Sequence, residues 1–506
     1  MAKKKSNVRA YLMQNGINET EKLKLVEVLL AYRKLATNLH SLIWNEFYKT
    51  GNIASYNPFY GDVDTTLSAR YEQTCFKQVA GMVKSFVSNR QNDFVTTVVR
   101  SSLSKETQHK MLAINKSNNW FKSEGYEHKS KDDSVLIITK EDLKLARKIF
   151  RHVINRCRLP NCKNINLALD TKVAVIEENQ TTKKWDFWVK VSSLESGNKI
   201  KIPVKSNGYF SNGRGEQNNF VQINFIDDEI RVYFVKTAEM LPYDARCKSI
   251  GLDFGLATFL ASSRGDKFGQ RVLDKLLKVD TELIKIVKRH PTTYMKIKRY
   301  KDLVQYLRGY LKSLIGSSLN RVIEIYAPSE IVVEKLDFRD SNLSRQMNRI
   351  LRNCGLGALD DKLDRLNLDY GIAITKVNAA YTSKMCSNCG YISPNNRQGQ
   401  ANFKCKCCGY KNNADVNGAL NIDARRSSKT INVALGTKKV LHILLNEFIS
   451  KIETKFKYKV KGVKGYSYAC PYNLQDIFDN EYFMNYCSRE ELNTFCSKFR
   501  LVAKRD

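Results

Sequence analysis

The stretch YTSKMCSNCGYISPNNRQGQANFKCKCCGYKNNADVNGALNIDAR, Tyr381–Arg425, sets two Cys-x-x-Cys-Gly units ahead of an Asp that opens a helical run. Cys386 and Cys389 are parted from Cys405 and Cys408 by residues 390–404, the spacing of a zinc ribbon. Cys407 is close as well, but Gly390 and Gly409 make two like knuckles and favour Cys408. Four thiolates close a tetrahedral site with no open position, so the implied single Zn²⁺ is structural. His152, Cys157 and Cys162 have no matching second half and read as core packing. The end of the stretch points elsewhere, because Asp415 begins the helix of ADVNGALNIDAR.

Two further acids sit in comparable places. Asp253 follows the apolar run Ile250-Gly251-Leu252, and Glu334 follows Ile331-Val332-Val333. A strand end or a helix start lets carboxylates converge at one edge of a sheet. Three such groups can hold two Mg²⁺ ions about 3.5–4 Å apart, one activating water and the other stabilising the leaving oxygen of a phosphodiester. Singly each is commonplace. The order D-x-G, strand-end Glu, ribbon, then D-x-N is far more specific.

The chain has 506 residues, of which 42% are hydrophobic and only 8 are Pro, enough to fold as several domains. Lys and Arg number 84 against 51 Asp and Glu, a net charge of +33. Folding does not require that excess, and self-repulsion opposes it. A polyanionic partner offsets it, nucleic acid first and an anionic membrane surface second. No apolar run approaches the length of a membrane span. The basic start MAKKKSNVRAYL lacks the apolar stretch of a secretory signal. The odd count of 13 Cys, with a group in one short segment, fits a reducing compartment and a metal site rather than a disulfide framework.

Periodicity divides the chain. Leu25, Leu29, Tyr32, Ala36, Leu39, Ile43 and Phe47 recur at helical steps, with Asn18 and Glu21 as a capping box and Gly51 as the stop. Further helices are expected over Tyr71–Asn92 and Lys140–Arg156. The Lys-rich link between them, with Trp120, Phe121 and Tyr126, suits either a nucleic-acid surface or an ordinary solvated face. From Ile165 to Phe234 apolar residues alternate in short runs, which predicts an antiparallel meander or small barrel, with NVRAYLM near the N-terminus as a candidate partner. Lys248–Gly269 reads as strand, tight turn, strand. Arg271–Ile325 reads as two basic helices broken near Pro291. A buried strand EIVVEKLDF, a helix over Leu359–Leu368 and the strand GIAITKVNAAYT lead back to the ribbon.

Taken together, Asp253 in GLDFGLATFL, Glu334 in VVEKL, the ribbon and Asp415 in NADVNGALNI resemble a split RuvC nuclease. The arrangement is similar to that of TnpB-like transposon nucleases and their descendants, the miniature type V CRISPR effectors. The motif resemblance covers Lys248–Arg426, and FWVKVSSLESGNKIKIPVK resembles the wedge barrel of such proteins. It implies an α+β multidomain fold: a helical recognition lobe inserted in a wedge β-barrel, then a split RNase H-like (RuvC) nuclease domain with an inserted zinc ribbon. The implied boundaries are 1–17 first wedge strand, 18–163 recognition lobe, 164–245 wedge, 246–380 nuclease, 381–411 ribbon for target-strand loading, and 412–426 last nuclease motif.

The implied activity is Mg²⁺-dependent, RNA-guided DNA cleavage. A CRISPR RNA or a transposon-end RNA would choose the sequence, and the protein would read a short flanking motif in double-stranded DNA. Asp253, Glu334 and Asp415 would bind two catalytic Mg²⁺ ions, and Cys386, Cys389, Cys405 and Cys408 one Zn²⁺. Asn417 and Arg425 would support the site or grip a phosphate. Lys384, Lys404, Lys406 and Lys411 of the ribbon would guide DNA inward. Gly418 stands where relatives often carry Ala, while Asp337 and Asp423 fall outside the motif and read as structural. An RNA-guided repressor without cleavage and a nuclease or transposase working without RNA are the rival readings. The presence of all three acids argues against the repressor. The resemblance places the protein in a prokaryotic cytoplasm, on the nucleoid when DNA-bound, and leaves monomer or homodimer open. Residues 427–506 exceed the family pattern, and KKVLHILLNEFISKIETKF within them reads as an amphipathic helix. Cys470, Cys487 and Cys496 there lack zinc spacing.

Overall fold

The computed structural model describes residues 6–129, 135–180, 184–255, 258–270, 272–335, 356–399, 401–459, 466–468, 480 and 482. The chain forms two compact units, Met1–Glu239 and Met240–Asp506. Asp337, Cys470, Cys487 and Cys496 lie outside the described residues.

In the first unit the elements are β1 (Ser6–Asn15), α1 (Glu19–Thr50), α2 (Ala69–Arg100), α3 (Lys105–Lys116), β2 (Tyr126–Lys129), β3 (Val135–Ile138) and α4 (Lys140–Asn155). They continue with β4 (Leu167–Leu169), β5 (Ala174–Glu178), β6 (Phe187–Ser192), β7 (Lys199–Lys205), α5 (Gly208–Ser211), β8 (Glu216–Ile226) and β9 (Glu229–Glu239). Seven strands form one antiparallel sheet in the order β4-β8-β9-β1-β7-β6-β5. β1 therefore sits between β9 and β7, and α1–α4 interrupt the sheet between its first and second strands in the chain.

Helix α1 stops at Gly51, whose φ of 74° suits a residue without Cβ. Its capping box is only half made. Asn18 accepts from Glu21 N, but the Glu21 carboxylate accepts from Lys201 N in β7 instead of turning back. Helix α2 runs to Arg100, well past Asn92, because Phe94 and Val98 keep its apolar stripe in the core.

The aromatic link is neither a nucleic-acid surface nor a solvated face at Trp120. That side chain is 0% exposed and stacks on Phe150 with ring centres 4.0 Å apart, and Phe121 packs beside both Phe150 and Phe47. A ring buried against three helices gains more than one presented to water. Cys162 is buried in the same core, whereas His152 on α4 is exposed and packs in no core.

The second unit holds β10 (Ile250–Phe254), β11 (Thr258–Ser262), β12 (Lys267–Gln270), α6 (Val272–Arg289), α7 (Lys298–Tyr326), β13 (Glu330–Glu334), α8 (Leu356–Tyr370) and β14 (Ala373–Val377). The segment read as two strands is thus three. Beyond lie β15 (Asn402–Lys404), β16 (Lys411–Asn413), α9 (Ala414–Arg425), α10 (Thr437–Phe456), β17 (Lys457–Lys459) and β18 (Tyr466–Tyr468). Helix α6 ends two residues before Pro291, as the clash of a proline ring with the preceding residue demands.

The main sheet has the order β12-β11-β10-β13-β14, with β10, β13 and β14 parallel and β11 and β12 antiparallel. The side-chain period of two gives it two distinct faces. Ile250, Leu252, Ile331 and Val333 join the core made with α7 and α8. The intervening residues, Gly251, Asp253, Val332 and Glu334, belong to the other face, where Val332 packs against Ile422 of α9.

Candidate metal centres on one helix

Helix α9 meets that second face closely. A Cβ on Gly251 would lie 2.3 Å from the carbonyl oxygen of Ala419 and 2.7 Å from the Asp423 backbone nitrogen. Only glycine allows this approach. Asp423 ties the contact laterally, accepting from Ser249 at 2.8 Å and Ser263 at 3.3 Å, which makes it structural.

The approach brings the three acids together. Leu252 pairs in register with Val333, so Asp253 and Glu334 leave adjacent parallel strands at the same end and on the same face. Asp415 lies in the first turn of α9, where Asn413 caps the Asp415 and Val416 amides. Gly418, one turn on, faces Asp253: a Cβ there would lie 2.5 Å from Asp253 Oδ2. An alanine at this position would have to displace that carboxylate.

Burial, then Glu334 and Asp415, push the Asp253 carboxyl up to about 8, against the pull of Arg397. Glu334 is also raised, by burial, with the Thr382 hydrogen bond and Arg425 opposing. Buried carboxylates that repel one another are a donor set whose repulsion a divalent cation would relieve.

The acids are more widely set than the thiols. Among the described residues, Cys386, Cys389, Cys405 and Cys408 form the one group of three or more His, Cys, Asp or Glu whose ligand atoms all lie within 4.8 Å of one another. Cys386 and Cys408 sulfurs are 3.7 Å apart, and Cys389 and Cys405 sulfurs 3.6 Å. A tetrahedron with Zn–S bonds of about 2.3 Å has edges of about 3.8 Å, so the thiols fit zinc. Cys407 is buried but outside this group. Both knuckle glycines adopt positive φ, 89° at Gly390 and 73° at Gly409.

Two partners of the acids were not legible in the sequence. Arg397, in the ribbon, places Nη2 3.1 Å from Asp415 Oδ1. Thr382, ahead of the first knuckle, hydrogen-bonds the Glu334 carboxylate. Nothing local marks an arginine in a ribbon loop as an active-site neighbour.

Asn417 and Arg425 need correction as phosphate-gripping groups. Asn417 is fully buried, accepts from Ser387 N at 3.0 Å and donates to Met385 O at 2.8 Å. Arg425 Nη1 donates to Asn378 O and Ala380 O. Asn421 lies between them and donates to Thr382 O and Met385 O, both at 2.7 Å. These bonds to the first knuckle and the chain just before it tie the ribbon to α9, while Arg425 Nη2 is buried without a hydrogen-bond partner. The signal was present as polar residues at every fourth position, Asn413 at the cap and then Asn417, Asn421 and Arg425, in line along one side of the helix.

Helix α10 closes the ribbon's other side. Leu441, Leu444, Leu445 and Phe448 share a core with Tyr391, Ile392 and the cysteines. Lys451 donates to Asn388 O at 3.1 Å, and Asn480 donates to Tyr391 Oη and Ile392 O. The segment beyond the family pattern is in part a cap on the ribbon. No helix among the described residues is long and apolar enough to cross a membrane.

Comparison with known proteins finds matches to parts of this chain. The family model described as "Cas12f1-like, TNB domain" matches residues 358–422, which span α8, β14, the ribbon and most of α9. The CRISPR-associated endodeoxyribonuclease Cas12f1 of Sulfoacidibacillus thermotolerans is 43% identical over 84 residues, 17% of this chain and 20% of that protein. InsQ of Escherichia coli (strain K12), named for RNA-guided DNA endonuclease activity, is 28% identical over 203 residues, 36% of this chain and 50% of that protein. The TnpB-like protein aq_aa05 of Aquifex aeolicus (strain VF5) is 38% identical over 87 residues, 16% of this chain and 26% of that protein. The chain thus spans half or less of the length of these curated relatives. Over these segments the chain is similar to TnpB-like proteins and to miniature type V effectors.

Proposed function

We propose that the protein is an RNA-guided DNA endonuclease that hydrolyses phosphodiester bonds at a single site formed by Asp253, Glu334 and Asp415. The observation that carries this reading is the delivery of three acids to one face of the β10–β13 strand ends, with an arginine beside them. The five-stranded mixed sheet with α9 on its acid-bearing face supports an RNase H-like nuclease interrupted by a ribbon. The names of the relatives and the net charge of +33 support a guide RNA and double-stranded DNA as partners. By the same resemblance the first unit's sheet serves as the wedge and α1–α4 as the recognition lobe, the barrel being taken to end near residue 245.

Two Mg²⁺ ions, when bound, supply water activation and charge neutralisation at the leaving oxygen. Asp253 and Glu334 would hold the ions from adjacent strand ends and Asp415 from the start of α9. Burial and the neighbouring acids raise the Asp253 carboxyl, so a cation bound there would favour release of its proton. Arg397 pairs with Asp415 and, with a metal bound there, would be free to meet a substrate phosphate. The ribbon, held to α9 by Asn417, Asn421 and Arg425, keeps Asp415 in place and presents Lys404, Lys406 and Lys411 to incoming DNA.

The test is plasmid cleavage by protein copurified with its RNA. Asp253→Ala should lower the rate by at least about 10³-fold, roughly 4 kcal/mol of barrier. Undiminished cutting by that variant overturns the site. Equal cutting without RNA replaces the reading with an unguided nuclease, and a wild type that binds its target without cutting replaces it with a repressor.

A further inference from the structure

We propose that Thr382 is a positioning residue for Glu334, its hydroxyl fixing the direction in which that carboxylate presents its oxygens to metal. The inference rests on the reading of Glu334 as a metal-binding acid and names what sets its geometry. Thr382 is 2% exposed, and its Oγ1 lies in hydrogen-bond contact with Glu334 Oε1 and 2.9 Å from Ala379 O. The hydroxyl has one proton to share between these acceptors, so the carboxylate is tied to a turn rather than to another mobile side chain.

That turn is held from both ends. Tyr381 takes a left-handed φ of 64°, an uncommon state for a bulky residue, and this bend immediately precedes Thr382. Asn421 of α9 donates to Thr382 O at 2.7 Å, and Arg425 secures Asn378 and Ala380 just upstream. Asn378 in turn donates to Asn432 O and Leu435 O at 3.1 and 2.9 Å. Thr382 is therefore among the most constrained groups near the acids. Glu334 stands at the last position of β13, and its Oε1 accepts from the Thr382 hydroxyl. Orienting groups behind metal ligands commonly change metal affinity or activity by about 10–100-fold.

The experiment measures Mn²⁺ binding to the full-length protein by electron paramagnetic resonance, beside zinc content, melting temperature and cleavage. Mn²⁺ suits a carboxylate site and reports binding without turnover. Thr382→Val, which keeps the shape and removes the hydroxyl, should bind Mn²⁺ about 10-fold more weakly with zinc content unchanged. Thr382→Ser should restore wild-type binding. In a Glu334→Gln background Thr382→Val should have no further effect, because the hydroxyl then has no carboxylate to orient.

Unchanged Mn²⁺ affinity in Thr382→Val, failure of the serine variant, or an equal loss in the Glu334→Gln background would each overturn the proposal. Should Thr382→Val lose zinc, Thr382→Ala takes its place. Loss of zinc in both variants also overturns it, since Thr382 would then be holding the ribbon instead of the carboxylate. Asp253→Ala separates the two levels. If it retains Mn²⁺ binding and cleavage, the nuclease site itself is wrong; if it loses both while Thr382→Val matches wild type, only the role of Thr382 falls.

Discussion

The four-cysteine cluster and the carboxylate cluster both lean on α9 but are built in opposite ways. The four thiols come from Cys386–Cys408, lie at nearly tetrahedral spacing, and are enclosed by their own knuckles and α10. The three acids come from Asp253–Asp415, lie further apart, and depend on β10, β13 and α9 meeting across Gly251. A structural metal gains from a closed, preformed cage, whereas a working metal site needs open positions and ligands able to adjust. The polar rungs Asn417, Asn421 and Arg425 of α9, the helix that carries Asp415, bond to the first knuckle and the chain before it.

Breaking the closed site should have the largest effect. A structural Zn²⁺ supplies about 10–16 kcal/mol of folding free energy in small domains. Cys389→Ser should lose zinc and melt the ribbon, read by metal analysis and limited proteolysis within residues 381–411, and cleavage should fall with it. Retained zinc and full activity would show that the ribbon and the acids are independent.

The seam between α9 and the sheet comes next. Gly251→Ala pushes a methyl group against the Ala419 carbonyl, and overpacking of this kind costs about 1–3 kcal/mol. The melting temperature should drop, with zinc content preserved. A variant as stable as wild type would mean that the close approach is not required.

The smallest effect sharpens the electrostatic half of the comparison. Asp253 is raised to about 8 in the folded chain, against about 3.9 for an unfolded aspartate. Between these values the folded state holds more protons than the unfolded one, so metal-free stability falls as pH rises through that window. Asp253→Asn removes the penalty. At pH above about 8 it should raise the metal-free melting temperature, by about 2–4 °C for each kcal/mol of repulsion relieved. At pH below about 4 it should change little, and Mg²⁺ should stabilise wild type more than the variant. A melting temperature unchanged at high pH would show that Asp253 is not under strain.

Much of this was legible because it is local. Ligand identity and spacing within Cys386–Cys408 mark the ribbon, and alternation in Phe187–Ser192 or Lys199–Lys205 marks strands with one buried face. The neighbourhood of the acids was not legible. Arg397 and Thr382 reach Asp415 and Glu334 across 18 and 48 positions of chain, and neither has a motif of its own. Trp120 misled for a related reason. An aromatic among lysines looks the same in a sequence whether its ring meets a base or Phe150.

The order of residues by itself determined the chemistry available: four thiols at ribbon spacing, three acids at the ends of apolar runs, and a polar stripe on one helix. Only the tertiary structure decided which groups face one another. Parallel pairing of β10 with β13 set Asp253 beside Glu334, a missing Cβ at Gly251 let α9 bring Asp415 to them, and backbone carbonyls claimed Asn417 and Arg425. Side-chain type is a property of the chain, whereas proximity between distant residues arises when faces pack and exclude water.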